Sequence, residues 1–329
     1  MFHSSEAFAS TRSESVPAPP KNEAPRIELP ESTGAAFGKA PLLARHDLHD
    51  SALFSDDSLI ELLDRHPRDF VYAIATGGDP AREENRLAAH DGVSGRELLA
   101  AVRRGRFWLN VTRVNRDATF RALIDQLYGE LAKAVPGFRP QKTQGSLLVS
   151  SPRAVVYLHA DAPPNVLWQV RGRKKIWIYP ALDERFLPRA DLEDILASAR
   201  HEYLPYRAEF DAHATCYDLG PGDLVTFPQN APHRVTNLDS LNVALSTEHF
   251  TAQSRARIRV YCANRFLRIR FGLSRLSTRE TGPGALAKVV LHRAARAVGL
   301  ESDPAAAKKW VPTLRVCADA PAGAVDISI

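Results

Sequence analysis

From residue 144 onward the chain becomes a series of short β-forming runs separated by turns, and no other feature limits its fold so strongly. Runs at 146–150, 154–161, 166–171 and 174–179 make a first group; runs at 214–219, 224–227, 234–237 and 241–247 make a second. Between the groups, 183–199 carries a helix and 201–210 is an aromatic, charged loop. Eight strands of this length, joined by turn-rich crossings, predict a double-sheet jelly roll. Strand ends that are distant in sequence then meet at one open end of the barrel.

Chemistry concentrates in the first group. His159 and Asp161 stand two residues apart in a β-forming run, and alternate side chains of a strand share a face. The spacing therefore aims an imidazole and a carboxylate at a common point. A third ligand is available in His233, which follows the turn Gly220–Pro221–Gly222–Asp223, a short strand and a loop ending at Pro232. Two histidines and a carboxylate leave about three positions open on an octahedral ion, the donor set of non-haem Fe(II) oxygenases. Taken alone, such a pair and a distant histidine are better explained as a core ion pair and an ordinary loop histidine. The next strand changes that balance. Alternation places Lys174 with Ile176 and Ile178 on an apolar face, where an ammonium is costly unless it meets an anion. If that face lines the metal cavity, the natural partner is the far carboxylate of a bound dicarboxylate.

The stretches HADAPPNVLWQVRGRKKIWIYP and PGDLVTFPQNAPH resemble the JmjC (jumonji) and cupin-like Fe(II)/2-oxoglutarate oxygenases, in particular the factor-inhibiting asparaginyl hydroxylase branch. The resemblance spans about 147–250. It implies a double-stranded β-helix (jelly roll, cupin) fold, mainly β with flanking helices, and a hydroxylase that uses Fe(II), 2-oxoglutarate and dioxygen. It further implies that His159, Asp161 and His233 hold the iron, that Lys174 binds the far carboxylate of 2-oxoglutarate, and that Asn165 lies near metal and co-substrate. Val156 stands where that branch has a threonine. Among Ser246, Thr247 and Glu248 the last-strand co-substrate contact is assigned to Thr247. Two other readings stand beside this one: a non-catalytic cupin-like binding or regulatory protein, and a cupin isomerase or lyase using another divalent metal, which would have no use for Lys174.

The remaining chain divides accordingly. Residues 1–41, polar and rich in Ser, Pro and Glu, predict a disordered tail from which Ile27 and Leu29 could dock. Residues 42–140 predict an α/β lead-in that buttresses the barrel: helices at 56–65, 94–104 and 118–134, strands at 69–75 and 106–111, and an irregular 79–91. The barrel occupies 141–250. A basic helical extension, 251–329, follows, with helices at 251–271 and 286–298 and an extended end in which Trp310, Val311, Leu314 and Val316 pack back. In family members such a helical tail often mediates dimerisation. From Thr251 to Arg279 there are eight arginines and no acid, within a net charge of +5. With no nucleic-acid motif beside them, these predict a solvated helix face with some arginines paired to acids, rather than a nucleic-acid surface. Three widely spaced cysteines, the absence of a secretory signal and the absence of a membrane span predict a cytoplasmic protein. His201, His213 and His249 lack partners at ligand spacing; His249 is the one near the barrel end, and Tyr157 is expected to share a face with His159.

Overall fold

The structure, a computed structural model, describes residues 25–301 and 311–327. Before the barrel come β1 (Ile27–Glu28), α1 (Thr33–Ala36), β2 (Leu42–His46), α2 (Asp56–Arg65), β3 (Val71–Ala75), β4 (Arg86–Ala89), α3 (Gly95–Arg104), β5 (Phe107–Val111) and α4 (Ala118–Ala134). The barrel strands are β6 (Gln141–Ser150), β7 (Val155–His159), β8 (Asn165–Arg171), β9 (Lys174–Ile178), β10 (Thr215–Leu219), β11 (Asp223–Thr226), β12 (His233–Asn237) and β13 (Asn242–Phe250), with α5 (Arg189–Leu196) between β9 and β10. They are followed by α6 (Ala252–Phe271), α7 (Pro283–Ala297), β14 (Leu314–Val316) and β15 (Ala324–Asp326).

The eight expected strands are β6–β13, and they form two facing antiparallel sheets. One has the order β10-β9-β12-β7; the other contains β11-β8-β13-β6. This is the jelly roll. The second sheet continues on both sides, through β2 and β1 at one edge and through β5, β3, β4, β14 and β15 at the other. The lead-in thus lengthens the barrel sheet as well as supporting it.

Three apolar layers hold these parts together. Leu167, Ile176, Ile178, Val225, Phe227 and Val235 fill part of the lumen between the sheets. The outer face of the long sheet buries Val166, Trp168 and Leu245 against α2, α3 and α4, which contribute Leu62, Leu98 and Ile124. Behind the smaller sheet, Leu158 and Tyr179 pack on α5 and on Tyr261 of α6. The helices begin where their caps allow. The Ser55 hydroxyl accepts from the Ser58 N–H, and Ser94 and Glu97 form a reciprocal capping box at α3.

Several expectations need correction. Residues 1–24 lie outside the described residues, but 25–41 belong to the body: Ile27 pairs with His46, and α1 follows. Within the irregular 79–91, Arg86–Ala89 is a strand bridging β3 and β14. The extended end docks as β14 in parallel on β4; Leu314 and Val316 are buried, whereas Val311 is exposed and Trp310 lies outside the described residues. Of Ile258, Tyr261, Cys262, Phe266 and Ile269, which helical periodicity turns inward on α6, Ile269 is exposed instead, and Val260, Tyr261 and Phe266 form the inner side. As expected, some of its arginines pair with acids: Arg257 with Glu280, Arg265 with Asp194, and Arg268 with Glu193. Among the described residues no helix is long and apolar enough to cross a membrane.

Candidate metal centre

His159 and His233 occupy directly paired positions on β7 and β12, so their rings meet across the ladder with centroids 4.1 Å apart. Strand alternation alone would not place them so. Between the pairs His233–His159 and Val235–Val156, β7 has one residue more than β12, a bulge. Val156 faces the lumen, Leu158 packs behind the smaller sheet, and His159 faces the lumen again. A bulge that re-aims one side chain is a recurrent device beside active sites. It also corrects the reading of Tyr157, which does not share the cavity with His159; its hydroxyl accepts the Gly77 N–H at 2.9 Å.

Asp161 lies two residues beyond the end of β7, in the loop to β8, yet it reaches the same point. One carboxylate oxygen is 3.7 Å from His159 Nε2 and the other is 3.6 Å from His233 Nε2. The three residues offer donor atoms that all lie within 4.8 Å of one another. Both imidazoles are oriented by backbone: His159 Nδ1 is 2.8 Å from the Tyr157 carbonyl and His233 Nδ1 is 3.1 Å from that of Ala231. A carbonyl only accepts, so each Nδ1 carries the proton and each Nε2 presents its lone pair inward. Burial and the neighbouring His159 lower the His233 pKa to about 4, which keeps it neutral and ready to ligate.

The loop bearing Asp161 is clamped from the strand connection that delivers His233. The Asn230 amide donates to the Asp161 carbonyl at 2.8 Å, and the Gln229 amide donates to the Ala162 carbonyl at 2.9 Å. Asn230 holds a left-handed backbone, φ +64°, a conformation that asparagine tolerates better than most residues. On the other side, the Asn165 amide donates to the Asp161 carboxylate. Sequence reasoning singled out Asn165 but not Gln229 or Asn230; the signal was only their place in the loop before His233.

The triad stands in a cavity of about 790 Å³ that runs down to Lys174. Lys174 and Ile178, the strand partner of His233, are four residues apart on β9, roughly 13 Å along the strand. Lys174 is 4% exposed and makes no ion pair or hydrogen bond with any described residue. Desolvation alone lowers its pKa to about 8. It emerges from the tight turn at Gly172, φ +74°, where an added Cβ would lie 2.3 Å from the Leu241 carbonyl oxygen. Beside it on β12, Asn237 donates to the Ser150 hydroxyl at 2.8 Å.

Thr247 is not in this cavity. In the β13–β8 register it pairs with Val166 on the outer, core-packed face, and its hydroxyl accepts the Trp168 indole N–H at 2.9 Å. Its neighbours Ser246 and Glu248 face the lumen instead. His249 is likewise part of the outer core, buried beside Tyr128 and Phe138. The cavity wall also contains Glu202, which the sequence did not single out; it follows α5 and is held where its carbonyl accepts the Ala160 N–H. A wider surface groove of about 1060 Å³, lined by Arg86, Arg104 and Arg153 among others, contains none of the triad.

A jelly roll with two histidines and an aspartate at one end of the lumen makes this a candidate metal site on a cupin-type fold. The cupin-like domain family matches residues 82–249, just over half the chain, and the chain belongs to that family. No curated protein matches its sequence. Among solved structures, Escherichia coli ycfD is 16% identical, with 85% of this chain and 70% of that one covered and a TM-score of 0.49. YcfD, a ribosomal oxygenase from Escherichia coli, in complex with cobalt and 2-oxoglutarate gives 16% identity, coverage of 82% and 68%, and a TM-score of 0.46. The DMSP lyase DddQ from Ruegeria pomeroyi gives 13%, 34% and 40%, and 0.22.

Proposed function

We propose that this protein is an Fe(II)- and 2-oxoglutarate-dependent oxygenase that hydroxylates a C–H bond. The observation that carries the reading is Lys174: a buried ammonium with no protein counter-charge among the described residues, at the far end of the cavity that begins at the triad. The donor set suits iron, because one carboxylate and two imidazoles leave positions free for a chelating co-substrate and dioxygen. The cavity and Lys174 suit a dicarboxylate that reaches between them.

His159, Asp161 and His233 would hold the metal, and Lys174 would bind the far carboxylate of 2-oxoglutarate. When bound, iron and 2-oxoglutarate supply the oxidising chemistry, taking up dioxygen and releasing succinate and carbon dioxide. This chain's own residues orient and enclose. The Tyr157 and Ala231 carbonyls fix the two imidazole tautomers, Asn165 and Asn230 hold the aspartate and its loop, and the lumen side chains Ile176, Phe227 and Val235 exclude water from the space between. Placement near the asparaginyl hydroxylase branch is supported by the interval from His159 to Lys174 and by Asn165. Val156 and the outward Thr247 depart from it, and the lumen-facing Ser246 is our candidate for the last-strand contact.

We assign the protein to the reducing cytoplasm, consistent with free thiols at Cys216, Cys262 and Cys317. The exposed Leu286, Val290 and Leu291 of α7 support a homodimer through this helix. The activity is tested by succinate formation from 2-oxoglutarate under air with Fe(II) and ascorbate, for the wild type, His159→Ala and Lys174→Ala. Turnover in the wild type that is lost in both variants is expected. A wild type that neither turns over nor binds metal or 2-oxoglutarate would leave the regulatory scaffold as the better account.

A further inference from the structure

The surface groove of about 1060 Å³ lies where β3 ends and β5 begins, with the β14–β15 hairpin along its other side. Five arginines line it, Arg86, Arg103, Arg104, Arg106 and Arg153, against three acids, Glu84, Asp239 and Asp326. Pairing accounts for most of these charges. Arg86 pairs with Asp326 and Arg153 with Asp239, while Arg103 shares Asp56, outside the groove, with Arg171. Glu84 is taken by Arg82 at 3.0 Å, and the neighbouring Asp79 accepts the Ala81 N–H at 2.9 Å. Two guanidinium groups are left over. Arg104 meets a backbone carbonyl, that of Asp319, at 3.4 Å, and neither Arg104 nor Arg106 makes an ion pair with any described residue.

A hydroxyl without a partner stands beside them. The Thr76 N–H donates to the Arg106 carbonyl at 2.9 Å, which extends the β3–β5 ladder by one pair and sets Thr76 opposite Arg106. Thr76 is 8% exposed and lines the groove, and its buried hydroxyl finds no hydrogen-bond partner among the described residues. A buried polar group left unmet calls for a ligand. Close packing fixes the surrounding main chain. An added Cβ would lie 2.2 Å from the Ala322 carbonyl oxygen at Gly105, and 2.2 Å from Arg106 Nη1 at Gly78, so the Arg106 guanidinium rests against the turn after β3. Phe107, the aromatic residue of the lining, is buried, so the groove offers no ring on which a nucleobase could stack.

We propose that this groove is a second ligand site, which binds a phosphate monoester through the guanidinium groups of Arg104 and Arg106 and the hydroxyl of Thr76. A phosphate monoester carries a charge of about −1.5 to −2 at pH 7 and three strong acceptor oxygens. It therefore matches two uncompensated cations and a third donor, whereas a carboxylate brings about half that charge. Guanidinium forks suit phosphate oxygens in particular. The groove is far larger than a phosphate group, so the phosphate is the head of a larger molecule whose body lies along the β14–β15 hairpin. The site is independent of the oxygenase reading: it uses neither the triad nor Lys174.

The test is calorimetric titration of the full chain with N-acetyl-O-phosphoserine methylamide and with glycerol 3-phosphate. N-acetylserine methylamide and glycerol are the phosphate-free counterparts. The two phosphates distinguish a phosphorylated protein side chain from a small metabolite. At least one of them should bind about tenfold or more tightly than its counterpart, and more weakly as salt is raised. Arg104→Gln and Arg106→Gln, both at exposed positions, should each weaken that binding about tenfold or more. Thr76→Val is near-isosteric and removes a hydroxyl that is unpaired in the free protein. It should weaken binding by roughly threefold or more while leaving the thermal midpoint no lower than that of the wild type. Lys174→Met and Asp161→Ala, which alter the other cavity, should bind the phosphate as the wild type does. Phosphates that bind no more tightly than their counterparts, or an affinity unchanged by both arginine substitutions, overturn the proposal. Binding that is lost in Lys174→Met and kept in the arginine variants would place the phosphate in the other cavity and overturn it as well.

Discussion

Replacing Lys174 with methionine should make the protein more stable and at the same time abolish its use of 2-oxoglutarate. The wild-type ammonium is buried in the cavity without a partner among the described residues, and desolvation lowers its pKa from 10.5 to about 8. The folded state thus binds its proton less tightly than the unfolded state does. Below pH 8 the charge must be carried into the fold, at a cost of about 3 kcal/mol, from 1.36 kcal/mol per pKa unit. Between pH 8 and 10.5 the folded amine is already neutral while the unfolded one is still charged, so the cost falls as pH rises and vanishes above that window. Methionine matches the chain length and carries no charge. At neutral pH Lys174→Met should therefore gain about 3 kcal/mol, or several degrees of melting temperature at ~2–4 °C per kcal/mol for a large domain. With 2-oxoglutarate at a hundredfold excess over its Kd, the wild type should recover about 2.7 kcal/mol, and the variant nothing. Thermal unfolding of both proteins, with and without 2-oxoglutarate and at pH 7 and pH 10, reads all of this. A variant that is less stable than wild type without ligand, and is still stabilised by 2-oxoglutarate, would refute the reasoning.

Other expectations follow from the supports of the site. Asn230→Ala removes the hydrogen bond to the Asp161 carbonyl and strains a φ of +64°; metal titration should show an affinity about 10–100-fold weaker, and denaturant unfolding a loss of about 1–3 kcal/mol. Gly172→Ala meets both a φ of +74° and the Leu241 carbonyl, so it should cost about 1–3 kcal/mol and weaken 2-oxoglutarate binding by displacing Lys174, measured by unfolding and calorimetry. Leu286→Glu on the exposed face of α7 should convert a dimer into a monomer by light scattering after size exclusion, leaving the unfolding midpoint of the monomer close to that of the wild type.

The barrel was legible because its strands are short, apolar on alternate residues and bounded by glycine and proline. Lys174 was legible for the same reason: in a strand whose other inward residues are Ile176 and Ile178, a lysine stands out. The bulge in β7 was not. An extra residue leaves no mark on a run of β-formers, so alternation paired His159 with Tyr157 although the fold turns them apart. Thr247 was misplaced by a single position, because Ser246, Thr247 and Glu248 are all polar and only the register with β8 decides which faces inward. The short strands β1, β4 and β14 are two to four residues long and exist through distant partners, which a local pattern cannot supply. Glu202 could not be assigned either. Its segment comes beside the triad only through the bridge between His159 and Tyr203.

The central claim is that one site binds iron through His159, Asp161 and His233 and 2-oxoglutarate through Lys174. Its most direct test is an anaerobic titration with Fe(II) and then 2-oxoglutarate, followed by the visible charge-transfer absorption of the chelate, for wild type, Asp161→Ala and Lys174→Met. The account predicts one Fe(II) per chain and a chelate band in the wild type, no tight iron binding in Asp161→Ala, and retained iron with a greatly weakened response to 2-oxoglutarate in Lys174→Met. Iron bound equally well by Asp161→Ala, or a wild-type 2-oxoglutarate response preserved in Lys174→Met, would contradict it.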